Sequence, residues 1–116
     1  MSLERIEPLH ELPHQQKNAL TFIAWCIQRH RVSPLQKEIA KALNICGGSA
    51  WLYTEPLVKM HYLRKSSSGA KRCLRLDDLA YETLNEEDIL KWDDWWKTQI
   101  KNTFWQSFIN IKNGFN

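Results

Sequence analysis

Apolar residues recur at spacings of three and four between Gln15 and Arg31, where Ala19, Leu20, Phe22, Ile23, Cys26 and Ile27 share one face. That period predicts an amphipathic helix. Trp25 falls beside the stripe, and Gln28, Arg29, His30 and Arg31 close the segment with cations, which suit the negative end of a helix dipole. Ser33-Pro34-Leu35-Gln36 follows. Ser is a favoured N-cap, Pro fits the first helical position, and Gln three residues on completes a capping box. A second helix is therefore expected from Ser33 to about Leu43, with Leu35, Ile39, Ala40 and Leu43 facing inward. After the turn Asn44-Ile45-Cys46-Gly47-Gly48, a third helix is expected from near Ser49 to near Met60. Pro56 inside it removes a backbone hydrogen bond and should kink or shorten it.

The pattern then changes. Tyr62–Lys65 and Lys71–Leu76 read as two short strands joined by the hairpin loop Ser66-Ser67-Ser68-Gly69-Ala70. Asp77 should cap a short helix ending near Leu84. Asn85-Glu86-Glu87-Asp88 is another helix start, with an N-cap and acids in the first turn, opening one long helix or two that run to about Ile111. On one continuous helix of about 100° per residue, Ile89, Leu90, Trp92, Trp96, Ile100, Phe104, Phe108 and Ile111 form a wide stripe, and Trp95, Trp105 and Ile109 fall outside it. Apolar groups on a second face need a second partner. The organisation expected is an N-terminal arm over 1–11, a domain over 12–84 and a Trp-rich helical tail over 85–116. The fold class is mainly α with a small β-hairpin.

Composition sharpens this reading. The chain has 116 residues, 43% hydrophobic and 25% charged, which suits one small globular domain and excludes collagen, coiled-coil and disordered compositions. No apolar run reaches the roughly 18–20 residues of a membrane span, and the N-terminus carries charges where a signal peptide needs an apolar stretch. A soluble, cytoplasmic protein is expected. Cys26, Cys46 and Cys73 are widely spaced and lack a C-x-x-C pair, so reduced, buried thiols are expected rather than disulfides or zinc ligands. Residues 1–85 carry 12 Lys/Arg and 8 Asp/Glu, whereas 86–116 carry 4 and 5. Lys59, Arg64, Lys65, Lys71, Arg72 and Arg75 follow one another with no acid among them. A local basic stripe of this kind suits a phosphate backbone.

Other chemistry is thin. His10 and His14 have the i, i+4 spacing of helical metal ligands, but Pro13 lies between them and no Glu motif accompanies them, so no metal is expected. Gly47-Gly48 is too short for a phosphate loop, and no nucleophile–base spacing stands out. Neither an enzyme nor a cofactor is expected.

The order of helix, capped helix, tight turn, helix and basic hairpin resembles a winged helix-turn-helix. The residues that carry the likeness are Leu12-Pro13-His14-Gln15-Gln16, the run from Ser33 to Leu43 with its E-I-A-x-x-L element, Leu57–Lys65, and Ser67-Ser68-Gly69 as a wing tip. Over roughly residues 12–76 the chain is similar to the DNA-binding domain of LexA repressors and, more loosely, to MarR-type regulators. The resemblance implies a sequence-specific, double-stranded DNA-binding regulator, a repressor in the simplest form, whose third helix enters the major groove while the wing touches the backbone. It implies that Ser33, Gln36 and Lys37 hold phosphate, that Gly48 and Ser49 offer backbone N–H groups, that Trp51 and Leu52 face the bases, and that Lys65, Ser67, Lys71 and Arg72 anchor the wing. Such regulators pair through terminal helices, which implies a homodimer made by Trp92, Trp95, Trp96, Ile100, Phe104, Trp105 and Phe108.

The chain departs from that pattern in three places. His61 stands where the family usually has Gly, Pro56 interrupts the third helix, and the base-reading face of Ser49, Trp51, Leu52, Glu55 and Pro56 has no Arg, Lys, Asn or Gln. Trp51 and Leu52 could meet thymine methyls or a protein surface. Two alternatives follow: a protein-interaction module of phage-inhibitor or adaptor type that uses the apolar face and the tail, and non-specific nucleic-acid binding through the wing.

Overall fold

The computed structural model describes residues 13–66 and 72–114. The elements run in the order α1 (His14–His30), α2 (Gln36–Leu43), α3 (Trp51–Lys59), β1 (Leu63–Lys65), β2 (Leu74–Leu76), α4 (Asp78–Thr83), α5 (Glu86–Gln99) and α6 (Gln106–Lys112), with a 3-10 turn over Thr103–Trp105 before α6. The fold is α-rich with one small antiparallel hairpin, as the pattern of the sequence led us to expect. Among the described residues no helix is long and apolar enough to cross a membrane.

Helix α1 is the axis of the molecule. Every residue from Ala19 to Cys26 is buried, Thr21 and Trp25 included. A single apolar face predicts burial on one side only. Here α2 and α3 cover one part of the helix and α5 another. The core is accordingly continuous: Ile39, Leu57, Leu63 and Leu76 belong to the same cluster as Trp92, Trp96, Trp105 and Phe108. No break in the core falls at residue 85.

Positive φ follows three helices, at the C-caps Arg31 (60°) and Asn44 (59°) and, after α3, at His61 (69°), one residue beyond the cap Met60. In each case the next N–H reaches back into the last turn, Val32 to the Cys26 carbonyl, Ile45 to Ala40 and Tyr62 to Leu57, which satisfies carbonyls a helix end leaves free. Asn adopts this conformation readily, whereas Arg and His do so against a steric cost. His61 thus keeps the backbone that glycine would supply. Pro56 does not end α3, which continues to Lys59, and Met60 N–H bonds the Pro56 carbonyl at 2.9 Å.

The start of α2 differs from expectation. The helix begins at Gln36 rather than at Ser33-Pro34, and Leu35 is its extended N-cap. The Glu38 carboxylate accepts the Leu35 N–H at 2.8 Å. The reciprocal half of the cap has therefore moved from Gln36 to Glu38, because a carboxylate is the stronger acceptor and because Glu38 is held in place by Arg72. Asp77 and Asn85 cap α4 and α5 as expected, their side chains accepting from the Asp78 and Asp88 N–H groups.

In the hairpin Leu63 pairs with Leu76, Arg64 with Arg75 and Lys65 with Leu74. Strand alternation turns Leu63, Leu74 and Leu76 to the core and leaves Arg64 exposed.

Candidate nucleic-acid interface

Three side-chain links join the start of α2, helix α3 and the hairpin into one platform. Gln36 Nε2 donates to Thr54 Oγ1 at 3.3 Å, tying the first turn of α2 to α3. Lys65 Nζ donates to Glu55 Oε2 at 2.5 Å, tying β1 to α3. Arg72 donates to the Ser33 carbonyl at 2.9 Å and to both Glu38 oxygens at 2.8 and 2.9 Å, tying the hairpin to the α1–α2 connection.

The second and third links correct two expectations. Arg72 is not a free anchor for phosphate: its guanidinium is spent on Glu38, which is 1% exposed, in a bidentate pair. A buried carboxylate needs such a partner. Lys65 is likewise engaged with Glu55, and the pair cancels the negative charge that Glu55 would otherwise present on α3.

The other expected residues divide. Gln36 and Lys37 are exposed at the start of α2, and Gly48 is exposed in the turn before α3. Ser49 is half-buried, and its N–H is bonded to the Cys46 carbonyl, so it does not offer that donor. The Ser33 Oγ is buried with no hydrogen-bond partner among the described residues. Trp51 and Leu52 are 54% and 51% exposed in the first turn of α3, the most open large apolar pair on the motif. Ser67 and Lys71 lie outside the described residues. Lys59 and Arg64, expected only as members of the basic stripe and not as individual contacts, are both exposed, and neither is ion-paired among the described residues. Alternation along β1 was the signal for Arg64, since the residue after a core leucine must face outward.

The aromatic tail is placed differently from the expected single stripe. Helix α5 ends at Gln99, and Asn102 Oδ1 accepts the Phe104 N–H at 2.9 Å to begin a tight turn. That turn rotates Trp105 into the core, where it is fully buried although a continuous helix would set it off the stripe. Phe22, Trp25, Trp92, Trp95, Trp96, Trp105 and Phe108 form a set of edge-to-face and stacked rings with centroids 5.1 to 6.5 Å apart. Their polar edges are satisfied across elements. Trp25 Nε1 donates to Asp93 Oδ1 at 2.8 Å, and Trp92 Nε1 to Thr21 Oγ1 at 3.1 Å. Arg29 holds the second Asp93 oxygen at 2.8 Å. Of the seven residues expected to pair two chains, Trp92, Trp96, Trp105 and Phe108 are buried in their own chain, Trp95 and Phe104 are half-buried, and only Ile100 is exposed, at 48%.

His30 stands at the edge of this cluster, 4.2 Å from the Trp25 ring centroid, with Nδ1 buried and unpartnered among the described residues. Burial, reinforced by Lys112, pulls its pKa down to about 4, so the ring is neutral at pH 7. Burial and Glu38 push the Cys26 thiol up, which makes it an inert core group. Cys46 is exposed and Cys73 half-buried, so only one of the three thiols is a core residue; all three are free. Among the described residues no three His, Cys, Asp or Glu side chains come together as metal ligands would.

Compared with known families, curated proteins and solved structures, the chain finds no match in any of the three.

Proposed function

We propose that this chain is a double-stranded DNA-binding regulator of the winged helix-turn-helix type, with α2 and α3 as the motif and the β1–β2 hairpin as the wing. The observation that carries the reading is the platform itself: the α2 start, α3 and the hairpin are fastened to one another, while Gln36, Lys37, Lys59 and Arg64 stay open to solvent. Rigid elements presenting free cations are what backbone neutralisation needs. In this reading Lys37 and Arg64 hold phosphates on either side of α3, and Trp51 and Leu52 lie against base edges, where thymine methyls are their natural partners. The Lys65–Glu55 pair keeps α3 from repelling the duplex. Occlusion of a promoter is the simplest consequence, giving a repressor. The proposal retains a homodimer on a two-fold site, with the contact made by exposed side chains such as Ile100 and not by the buried rings.

Selection from a random duplex pool tests this. A defined motif should be enriched over several rounds. Binding without enrichment would support the non-specific alternative, and no binding at low salt would contradict both.

A second reading is favoured by one observation, the adjacent exposure of Trp51 and Leu52. An open aromatic–aliphatic pair with no base-reading polar group beside it is also what a protein-docking face looks like. Trp51→Ala separates the two: loss of affinity confined to particular base pairs supports DNA contact, whereas unchanged DNA affinity supports a protein partner.

A further inference from the structure

A cleft on the far side of the Arg72–Ser33 link lies where the end of α1, the α1–α2 connection, strand β2 and α6 meet. It has a volume of about 390 Å³ and is lined by Ile27, Arg31, Val32, Ser33, Arg72, Arg75 and Ile111. Its chemistry is two-sided. Ile27, Val32 and Ile111 give it an apolar wall, and Ile111 is 39% exposed, with apolar surface left to cover. Three guanidinium groups give it a positive rim.

Among the described residues the charge around that rim is not balanced. Glu38 is the carboxylate at hand and is committed to Arg72. Arg75 is fixed by Nη1, which donates to the Arg72 and Leu74 carbonyls at 3.1 and 2.9 Å, so its remaining donors are held in place and, among the described residues, unspent. Arg64 stands directly across the hairpin from Arg75, a like-charge pairing that costs energy without a counter-ion. Arg31 is exposed at the mouth and has no side-chain partner among the described residues. It is held there by the positive-φ backbone that ends α1. The Ser33 Oγ in the same lining is buried with no partner among the described residues. A pocket of a few hundred Å³ with an apolar wall and converging polar groups is the ordinary form of a small-molecule site.

We propose that this cleft binds a small amphipathic organic anion, a carboxylate or phosphate joined to an apolar body. The anion sits between Arg31 and Arg75, which can each donate in pairs to its oxygens, and the body lies on Ile27, Val32 and Ile111. Because the walls come from α1, the wing strand and the last helix, an occupied cleft clamps the wing to the tail. The site does not depend on whether α3 meets DNA.

Isothermal titration of the full chain with 1-naphthoate tests it, with 1-naphthalenemethanol and inorganic phosphate as the two partial ligands. Naphthoate should bind one to one with a Kd on the order of 0.1 mM, in the range open to a ligand of about a dozen heavy atoms. The neutral alcohol and phosphate should each bind at least about tenfold more weakly, since each keeps half of the chemistry. Arg75→Gln should weaken naphthoate by about tenfold or more. Because Arg75 also holds backbone carbonyls, Arg31→Gln, whose side chain supports no fold contact, provides the control and should weaken it by a similar factor. Equal naphthoate affinity in the native chain and Arg31→Gln would overturn the proposal. So would alcohol or phosphate binding as tightly as naphthoate.

Discussion

Glu38 and Arg72 face each other across the junction of the second helix and the hairpin, two guanidinium nitrogens on two carboxylate oxygens at 2.8 and 2.9 Å. The same carboxylate caps α2 through the Leu35 N–H, and the same guanidinium holds the Ser33 carbonyl. One pair thereby sets the position of the hairpin relative to α2.

Removing either partner leaves a buried charge uncompensated. Arg72→Ala should lower stability by about 3 kcal/mol, and Glu38→Ala by at least as much, since it also loses the cap. The double variant Glu38→Leu, Arg72→Met should recover much of the loss, because replacing a buried pair by apolar groups is often neutral. Urea midpoints with unchanged slopes read this directly. A loss below about 0.5 kcal/mol in Arg72→Ala would place that side chain outside the protein's interior structure.

His30 should make the fold sensitive to acid. The imidazole titrates near 6.5 in the unfolded chain and near 4 in the folded one, where burial and Lys112 oppose its charging more than Asp93 of α5 favours it; Arg29 of α1 adds to the opposition. Above pH 6.5 the ring is neutral in both states. As pH falls from 6.5 toward 4, the unfolded chain takes up a proton that the folded chain refuses. Stability therefore drops across that window by on the order of 2 kcal/mol. His30→Phe should flatten this part of the pH–stability curve. A native curve already flat from pH 7 to pH 4 would contradict the assignment.

The tail should prove necessary to the fold. Trp105→Ala empties a fully buried site and should cost about 3–5 kcal/mol. Ile100→Asp, at an exposed position, should leave stability within about 0.5 kcal/mol. Sedimentation of Ile100→Asp beside the native chain then reports on pairing alone: a dimer lost in the variant places the contact there, and a dimer kept moves it elsewhere.

His61 occupies a backbone conformation that favours glycine, at φ 69°. His61→Gly should raise stability by about 0.5–1 kcal/mol, seen as a rise of a few degrees in Tm. A fall would mean that the imidazole makes a contact worth more than the backbone cost.

Much of the fold was legible because each element carries its own local signal. The spacing in α1, the Asn85–Asp88 cap and the change to alternating residues at Leu63 are readable within a few residues. Several of the misses come from long-range terms, and others from local turns that helical spacing does not report. Glu38 moved the α2 cap because its partner, Arg72, lies 34 residues away. Trp105 looked exposed on a straight helix because the turn after Gln99 rotates it inward, and nothing in its own spacing says so. Trp25 falls beside the apolar stripe of α1 and Thr21 is not part of it, yet both are buried because α5 packs on that side. Among the site residues, Gln36, Lys37, Trp51 and Leu52 were legible as exposed positions on motif helices. The diversion of Arg72 and Lys65 into ion pairs was not, because charge alone does not say whether a cation faces solvent or a carboxylate.

The central claim is that the open cations of the platform neutralise duplex phosphates. Its most direct test is the salt dependence of binding to a selected duplex, by fluorescence anisotropy, for the native chain, Lys37→Ala and Arg64→Ala. The account predicts a steep fall in affinity with salt, and a slope smaller by about one in each variant with the fold intact. Binding that ignores salt, or variants whose slopes match the native chain, would contradict it.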